Sequence, residues 1–175
     1  PAIVACWCSG VVAELVVRGC RLPSRPTHVI SLCHETPPAG LRAVTNLTEL
    51  TSLYIGGCGD VTDVGLRAVS ILPPRTSLSL HERPITPLGL RAVSNLNKLT
   101  SLNIGGSDNV TEEGLRAVSS LPAPTELVIR YCPGVTEAVL LAVSNLTALT
   151  ELDFGGCRGV TDVGMRAVSL LPALT

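Results

Sequence analysis

The residues of this chain that could ligate a metal are cysteines and histidines. Four of them occur near the start: Cys6, Cys8, Cys20 and His28. Their gaps lack the Cys-x2–4-Cys spacing with which one tight turn supplies two ligands to a tetrahedral zinc ion. His34-Glu35 and His81-Glu82 each match half of the His-Glu-x-x-His motif of zinc hydrolases, and neither has the second histidine. The sequence therefore predicts no metal site.

Paired glycines could instead form a phosphate-binding loop. They recur as Gly56-Gly57, Gly105-Gly106 and Gly155-Gly156. The motif Gly-x-x-x-x-Gly-Lys-Ser/Thr is missing, and Gly-x-Gly-x-x-Gly is missing from the junctions between the expected strands and helices. A turn that needs a positive φ explains a recurring Gly-Gly pair without any ligand. No Ser, His and acid set occupies close positions either, so we predict no catalytic residues, no cofactor and no enzymatic activity.

Three cysteines occupy one recurring position after an expected strand: Cys58, Cys132 and Cys157. Cys132 and Cys157 fall on adjacent strands about 5 Å apart, within disulfide range, although parallel side chains make a bridge awkward. Cys58 lies about 15 Å from Cys132 and cannot join them. We predict that all three are small, half-buried residues that close a turn. The odd total of seven cysteines favours a reduced, cytoplasmic location.

Charge and composition exclude several classes of partner. The 175 residues include 13 Lys or Arg and 14 Asp or Glu, a formal charge of −1, and charged residues are only 15% of the chain. This balance lacks the basic footprint of nucleic-acid binding and the polybasic patch of a membrane-surface protein. The apolar stretch from Val11 to Val17 contains Glu14 and is far shorter than the roughly 20 residues of a membrane span. We therefore predict neither nucleic-acid binding nor membrane insertion.

A repeat organises most of the chain. Residues 65–70, which read Gly-Leu-Arg-Ala-Val-Ser, recur in similar form with first residues 25, 24, 25, 25 and 25 positions apart. Upstream lies an alternating pattern such as Leu53-x-Ile55, typical of a short strand with one buried face. Apolar residues three apart, such as Leu66 and Val69, predict a short amphipathic helix. Because one such unit cannot bury its own apolar face, the units must stack.

Each helix is expected to begin after a threonine whose hydroxyl accepts a backbone N–H: Thr62, Thr86, Thr111, Thr136 and Thr161. An acid or a proline follows each one, which suits the first helical position. An arginine column runs along the helices: Arg42, Arg67, Arg91, Arg116 and Arg166. An acid stands four residues before Arg67, Arg116 and Arg166, so we predict ion pairs within these helices rather than an anion-binding stripe.

One unit reads Leu50-x-x-Leu53-x-Ile55-x-x-Cys58-x-x-Val61-Thr62-Asp63-x-Gly65-Leu66. This pattern resembles the leucine-rich repeat, in the cysteine-containing subclass found in F-box proteins. The resemblance covers residues 28–175 and implies a right-handed α/β solenoid with a parallel β-sheet on the concave face and short helices on the convex face. It leaves residues 1–27 as an N-terminal cap or degenerate repeat. It implies a non-catalytic protein-interaction scaffold, with substrate recognition in a ubiquitin ligase as one such role.

Two types of unit alternate along the array. First-type units follow an Asn-Leu pair, at Asn46, Asn95 and Asn145, and their strands lead into the Gly-Gly pairs. Second-type units follow a Leu-Pro pair, as at Pro73 and Pro122, and their strands lead into bulky polar residues: His81-Glu82 and Arg130-Tyr131. We expect any recognition surface to lie on the second-type units.

The outward positions of the strands, here called the strand face, alternate with the buried leucines. Tyr and Arg side chains on such a face bring large contact area to an interface. We predict that another protein binds this concave face through nine residues: Tyr54, His81, Glu82, Asn103, Glu126, Arg130, Tyr131, Glu151 and Asp153. A solvated sheet face without a partner is the alternative.

Two other functions stay open on the sequence. A secreted or surface adhesion domain would carry glycans on the sequons at Asn46, Asn109 and Asn145. An enzyme whose catalytic domain lies outside this stretch is the other. Leu174-Thr175 match Leu50-Thr51, just before a strand, so we expect either a longer array or a partner that covers this end.

Overall fold

From residue 52 onward, the described residues form short strands that alternate with short helices. The computed structural model describes residues 3–6, 29–33, 52–55, 63–70, 77–82 and 85–175. The described strands are β1 (Ile3–Cys6), β2 (Val29–Cys33), β3 (Ser52–Tyr54), β4 (Ser77–Ser79), β5 (Ser101–Asn103), β6 (Glu126–Val128) and β7 (Glu151–Asp153). The described helices are α1 (Asp63–Ser70), α2 (Pro87–Val93), α3 (Glu112–Val118), α4 (Glu137–Val143) and α5 (Asp162–Val168).

The described strands form one parallel sheet in chain order, from β1 to β7. The register places the central leucine of each repeat strand beside that of the next, so that Leu53 is level with Leu78 and Leu102 with Leu127. Each repeat unit therefore adds one strand to the sheet, parallel to the previous strand and in register with it. The predicted α/β solenoid with a parallel sheet is confirmed.

Aliphatic side chains fill the space between the sheet and the helices. On the sheet side the inward residues Leu102 and Ile104 are fully buried, and on the helix side Leu115 and Val118 are buried too. Leaving water stabilises a side chain of this size by about 1.5–3 kcal/mol. The outward strand positions stay partly exposed, so the predicted alternation of buried and outward residues is confirmed.

Glycines in the helices let neighbouring helices approach closely. A Cβ on Gly114 would lie 2.7 Å from Cδ1 of Leu90 on the preceding helix, and a Cβ on Gly164 would lie 2.7 Å from Cδ1 of Leu140. Each leucine therefore packs directly against the next helix. This contact offsets the low helix propensity of glycine, which costs about 1 kcal/mol relative to alanine.

Threonines begin most of the described helices as the sequence predicts. The hydroxyls of Thr86, Thr111 and Thr161 each accept a backbone N–H from the first turn of the helix that follows. The prediction is wrong at Thr136, whose side chain makes no such hydrogen bond. Thr62 lies outside the described residues.

The exposed side of the helices is here called the helix face. Ion pairs on it form between helices as well as within them. Arg116 pairs with Glu112 in its own helix, as predicted. Arg91 instead reaches the next helix, where its Nη2 lies 2.6 Å from Oε1 of Glu113. Such exposed pairs contribute little stability each, about 0–1 kcal/mol.

The other two predicted pairs within helices are wrong. The Asp63 carboxylate accepts the hydroxyl of Thr86 in the next unit, at 2.6 Å, rather than pairing with Arg67. In the described ranges no ion pair joins Asp162 to Arg166. Asp63, the acid that begins α1, therefore links its unit to the unit that contains α2.

Several predictions fall outside the described residues. Of residues 1–27 only β1 is described, so the N-terminal cap or degenerate repeat stays a prediction. The same holds for Cys8, Cys20, His28 and His34-Glu35. No helix in the described ranges is both long and apolar enough to cross a bilayer.

Candidate partner-binding site

The nine residues predicted to bind a partner lie on or beside the strand face. Tyr54 ends β3 and is 41% exposed. Glu126 and Glu151 begin β6 and β7 and are level in the register, while Asn103 and Asp153 end β5 and β7. The other four lie two and three residues after the ends of β4 and β6 and are here called the ridge residues: His81, Glu82, Arg130 and Tyr131.

Asn103 and Asp153 shape the backbone after their strands. Oδ1 of Asn103 accepts the N–H of Gly105 at 3.0 Å, and Oδ1 of Asp153 accepts the N–H of Gly155 at 3.0 Å. Such a side chain to backbone contact two residues on stabilises a turn. The Asn-x-Gly and Asp-x-Gly spacing in the sequence carries this turn signal, a role in addition to the predicted partner binding.

Backbone hydrogen bonds continue past the strands as far as the ridge residues. The N–H of Glu82 donates to the carbonyl oxygen of Gly105 at 2.8 Å, and the N–H of Gly106 donates to that of Arg130 at 2.7 Å. The N–H of Tyr131 donates to the carbonyl oxygen of Gly155 at 2.9 Å. Neighbouring units at this level therefore stay at strand spacing, about 4.8 Å apart.

The same left-handed turn follows four successive strands. Its φ is 56° at Glu82, 69° at Gly106, 54° at Tyr131 and 75° at Gly156. The predicted need for a positive φ in the Gly-Gly pairs is thus confirmed at Gly106 and Gly156. In the second-type units the same conformation is held by Glu82 and Tyr131, which costs a residue with a Cβ about 1–2 kcal/mol.

Each bulky residue at this turn lies on the glycine of the next unit. A Cβ on Gly106 would lie 3.0 Å from Cγ of Glu82. A Cβ on Gly156 would lie 3.2 Å from Cγ of Tyr131 and would overlap its ring atoms Cδ1 and Cε1. The alternation of unit types therefore has a packing reason, because a side chain from one unit occupies the space that the next leaves open.

The ridge residues are held by short-range electrostatic contacts. Nε of Arg130 lies 3.5 Å from Oδ1 of Asp153, and its guanidinium carbon lies 5.3 Å from the centre of the Tyr131 ring. Nδ1 of His81 lies 3.0 Å from the carbonyl oxygen of Gly105. Tyr131 is nevertheless 59% exposed. A fixed but exposed Tyr and Arg lose little conformational freedom when a partner docks.

The described cysteines of the recurring position are free thiols that support the turn. Sγ of Cys132 donates to the carbonyl oxygen of Ile104 at 3.4 Å, and Sγ of Cys157 to that of Ile129 at 3.1 Å. Burial raises the pKa of both thiols above the ordinary value of 9.0. Both are therefore protonated and poorly nucleophilic at neutral pH. Their thiol to backbone contacts agree with the predicted closing of a turn, but Cys132 is fully buried and only Cys157 is half-buried as predicted. Cys58 lies outside the described residues.

Ser107 occupies the cysteine position of its unit and is an imperfect replacement. It is fully buried, and its hydroxyl has no hydrogen-bond partner among the described residues. An unsatisfied buried hydroxyl costs about 1–3 kcal/mol. We therefore expect Ser107→Cys to raise the free energy of unfolding by about 1 kcal/mol, measured by urea denaturation.

Cys132→Ser is the matched control for this prediction. It places a shorter hydroxyl where Cys132 now reaches the carbonyl oxygen of Ile104, so it should lower the free energy of unfolding by about 1 kcal/mol. If Ser107→Cys destabilises the protein, the pocket around Ser107 is fitted to serine, and the account of an orphan hydroxyl is wrong.

Clusters of metal-ligating side chains are missing from the described ranges. No group of three or more His, Cys, Asp or Glu side chains there is arranged to hold a metal ion. His81 and Glu82, singled out for their zinc-hydrolase-like pairing, contact each other, with Nε2 3.2 Å from Oε1.

Comparison with known families identifies the repeat. Three stretches match the family model described as Leucine Rich repeat: residues 46–70, 95–119 and 145–169. These three stretches are leucine-rich repeats. The leucine-rich repeats that match are first-type units with Gly-Gly ends. The second-type units that carry the ridge residues lie between the matched stretches.

A solved internalin structure shares this fold. An internalin from Listeria monocytogenes is 24% identical, with a TM-score of 0.60, over 85% of this chain and 40% of that chain. The ectodomain of the plant receptor kinase GASSHO1/SCHENGEN3 from Arabidopsis thaliana, solved in complex with CASPARIAN STRIP INTEGRITY FACTOR 2, is 16% identical, with a TM-score of 0.49, over 81% of this chain and 17% of that chain. This chain thus spans less than half of either protein. No curated protein matches the chain.

Proposed function

We propose that this leucine-rich-repeat array is a non-catalytic scaffold that binds another protein through its strand face, centred on the ridge residues. One observation carries the proposal. Glu82 and Tyr131 are held at a positive φ where the alternate units have glycine, and Tyr131 is more than half exposed. Strained residues of this kind are concentrated at binding and active sites, because selection for stability alone would favour glycine there.

The chemistry of the ridge suits protein recognition better than catalysis. Tyr131 and Arg130 are of the residue types that carry most binding energy at protein interfaces. The Arg130 side chain is half exposed and forms an ion pair with Asp153. A carboxylate of a partner could therefore bind the Arg130 guanidinium without a large desolvation cost.

Substrate recognition within a ubiquitin ligase is the finer form of the proposal. It rests on the resemblance of the repeat to the cysteine-containing subclass found in F-box proteins. Cys132 and Cys157 support that resemblance, because both close the turn after a strand with a thiol to backbone contact. In that role the strand face would hold the protein to be modified.

Affinity capture from source cells tests the proposal, with mass spectrometry as the readout. The test variant changes all four ridge residues to alanine. The matched control changes four exposed residues of the helix face to alanine: Leu88, Arg91, Glu113 and Arg116. We expect wild-type chain and control to capture the same partner and the ridge variant to lose it by at least tenfold.

Circular dichroism must show that both variants keep the wild-type fold. Loss of the partner from the helix-face variant with retention by the folded ridge variant would place binding on the opposite face and refute the proposal. Recovery of ligase subunits with the partner would support the finer role.

A further inference from the structure

The helix face changes from charged to apolar along the array. Between α2 and α3 it carries the ion pair of Arg91 with Glu113. Fifty residues later, the same two positions on α4 and α5 hold Leu141 and Val163, which are 46% and 50% exposed. Two apolar side chains thus replace an ion pair at positions that the fold leaves in water.

Leu141 and Val163 are neighbours, because the two pairs of helices pack alike. The glycine of α3 and the glycine of α5 approach a leucine of the preceding helix equally closely, 2.7 Å from an added Cβ. Since the Arg91 and Glu113 side chains meet across α2 and α3, Leu141 and Val163 meet in the same way across α4 and α5. They form one continuous apolar surface.

Leu170, just after the end of α5, extends this surface. It follows Val163 by seven residues, so it lies on the same side of the helix about 10.5 Å further along. Leu170 is 82% exposed. We call Leu141, Val163 and Leu170 the apolar patch.

The exposure of the patch does not depend on where the array ends. Leu141 belongs to α4, which α3 and α5 flank. The residues equivalent to Leu170 in earlier units are polar and exposed, although a further unit follows each of them: Asn95, Ser120 and Asn145. Leucine at this position therefore has no role in the core, and contiguous exposed apolar residues mark an interaction surface.

Arg166 gives the patch a charge at its centre. It comes three residues after Val163 and four before Leu170, which places it between them on one side of α5. Arg166 is exposed and forms no ion pair with a described residue. A molecule that covers the patch must supply a carboxylate here, because burying an unpaired guanidinium costs free energy.

The spacing of the patch fits an α-helix. A helix aligned with α5 presents residues seven positions apart at the same interval, about 10.5 Å, with a residue of the same face between them. A strand covers this distance in three residues, whose first and last side chains point to opposite faces. A polyproline helix repeats its face every three residues, so nothing between the two contacts would face Arg166.

A second copy of this chain fits the patch poorly. Two-fold pairing that sets Val163 of one copy against Leu170 of the other runs the two α5 helices antiparallel. It brings both Arg166 guanidinium groups to the middle of the contact, where like charges oppose association. The patch therefore favours a different protein as its occupant.

We propose that the apolar patch binds an amphipathic helix of a partner protein, with two apolar residues seven positions apart and a Glu or Asp between them. One apolar residue lies on Leu141 and Val163, the other lies on Leu170, and the carboxylate pairs with Arg166. The helices and the strand face lie on opposite sides of the core. The patch is therefore a second interaction surface, independent of the proposed function.

Titration of the isotope-labelled full chain with a helical peptide, followed by amide chemical shifts, tests the proposal. The test peptide is Ala/Gln-rich, about 18 residues long so that it forms a helix, with two leucines seven positions apart and a glutamate between them. One control peptide has its second leucine moved to another side of the helix, and another has lysine for glutamate. We expect the test peptide to bind more tightly than either control by roughly fivefold or more, with shifts at the patch and Arg166.

Variants that restore the residues of earlier units assign the contacts. Leu141→Arg together with Val163→Glu recreates the ion pair found between α2 and α3, and Leu170→Asn recreates the residue found after α2 and α4. Each should abolish binding of the test peptide while circular dichroism shows the wild-type fold. Arg166→Gln should remove the preference for glutamate over lysine, and Leu88→Ser, an exposed leucine outside the patch, should change nothing.

Equal affinity for the test and control peptides, absence of binding, or shifts confined to other surfaces would each overturn the proposal. Analytical ultracentrifugation of the chain alone adds a further check. A concentration-dependent dimer that Leu141→Arg with Val163→Glu abolishes would make a second copy the occupant and would also overturn it.

Discussion

Replacing Gly134 with alanine is expected to lower the free energy of unfolding by about 3 kcal/mol or more. Gly134 lies in the turn between β6 and α4, directly against the backbone of the preceding unit. A Cβ there would lie 2.8 Å from the carbonyl carbon of Val110 and would overlap the carbonyl oxygen itself. Backbone atoms cannot rotate away as a side chain does, so the two units must separate. Overpacking of this kind costs about 1–3 kcal/mol where side chains can adjust, and more where they cannot.

Urea denaturation followed by circular dichroism measures this effect, with Asn109→Ala as the matched control. Asn109 holds the equivalent position one unit earlier, and its side chain is exposed. A surface substitution of this kind should change the free energy of unfolding by less than about 0.5 kcal/mol. A loss below about 1 kcal/mol for Gly134→Ala would mean that the units can shift apart easily, and that their stacking is not set by this contact.

The sequence predicts this fold well because each unit repeats the same local signals. Leu102-x-Ile104 gives the strand, Thr111 begins the helix, and one period later the same residues recur. Since every unit stacks on its neighbour in the same way, a single register applies along the array, and Leu102 must lie beside Leu127. The period thus determines the contacts between units as well as the structure within each one.

The repeat period does not predict which side chains of neighbouring units contact each other, because this depends on the direction each side chain takes. Arg91 has an acid neither four residues before it nor in its own helix, and it pairs with Glu113 across the gap between helices. Asp63 does have an arginine four residues on, yet it accepts a hydrogen bond from Thr86. Rules for a single helix fail here because the neighbouring unit also offers hydrogen-bond and ion-pair partners, which an isolated helix lacks.

The sequence predicts the candidate site only as a set of exposed residues. The structure adds their backbone conformation and their packing against the next unit. The alternation of Gly-Gly with bulky pairs is evident in the sequence, but its cause is a positive φ at Glu82 and Tyr131 together with the open surface of Gly106 and Gly156. No local propensity predicts that a tyrosine adopts the left-handed conformation. The neighbouring units impose it, since their backbone hydrogen bonds fix the turn on both sides.

Gly156→Ala should lower the free energy of unfolding by about 3 kcal/mol in the wild-type chain and by only about 1.5 kcal/mol in a chain that already carries Tyr131→Ala. In the wild type the new methyl group meets both a φ of 75° and the Tyr131 ring, whereas in the double variant only the backbone strain remains. Urea denaturation of the wild type, Gly156→Ala, Tyr131→Ala and the double variant gives the coupling free energy between the two sites, about 1.5 kcal/mol.

Gly106→Ala is the matched control for this coupling. Its methyl group meets the same backbone strain, with a φ of 69°, but the nearest atom is Cγ of the flexible Glu82 side chain at 3.0 Å, which can move away. Its cost should therefore stay near the backbone strain alone, about 1–2 kcal/mol. Additive effects at Gly156 and Tyr131 would show that the ring is free of the next unit. A ring coupled to Gly156 is instead held in one orientation by the next unit, so the strain at Tyr131 is offset by packing and its exposed surface is preorganised.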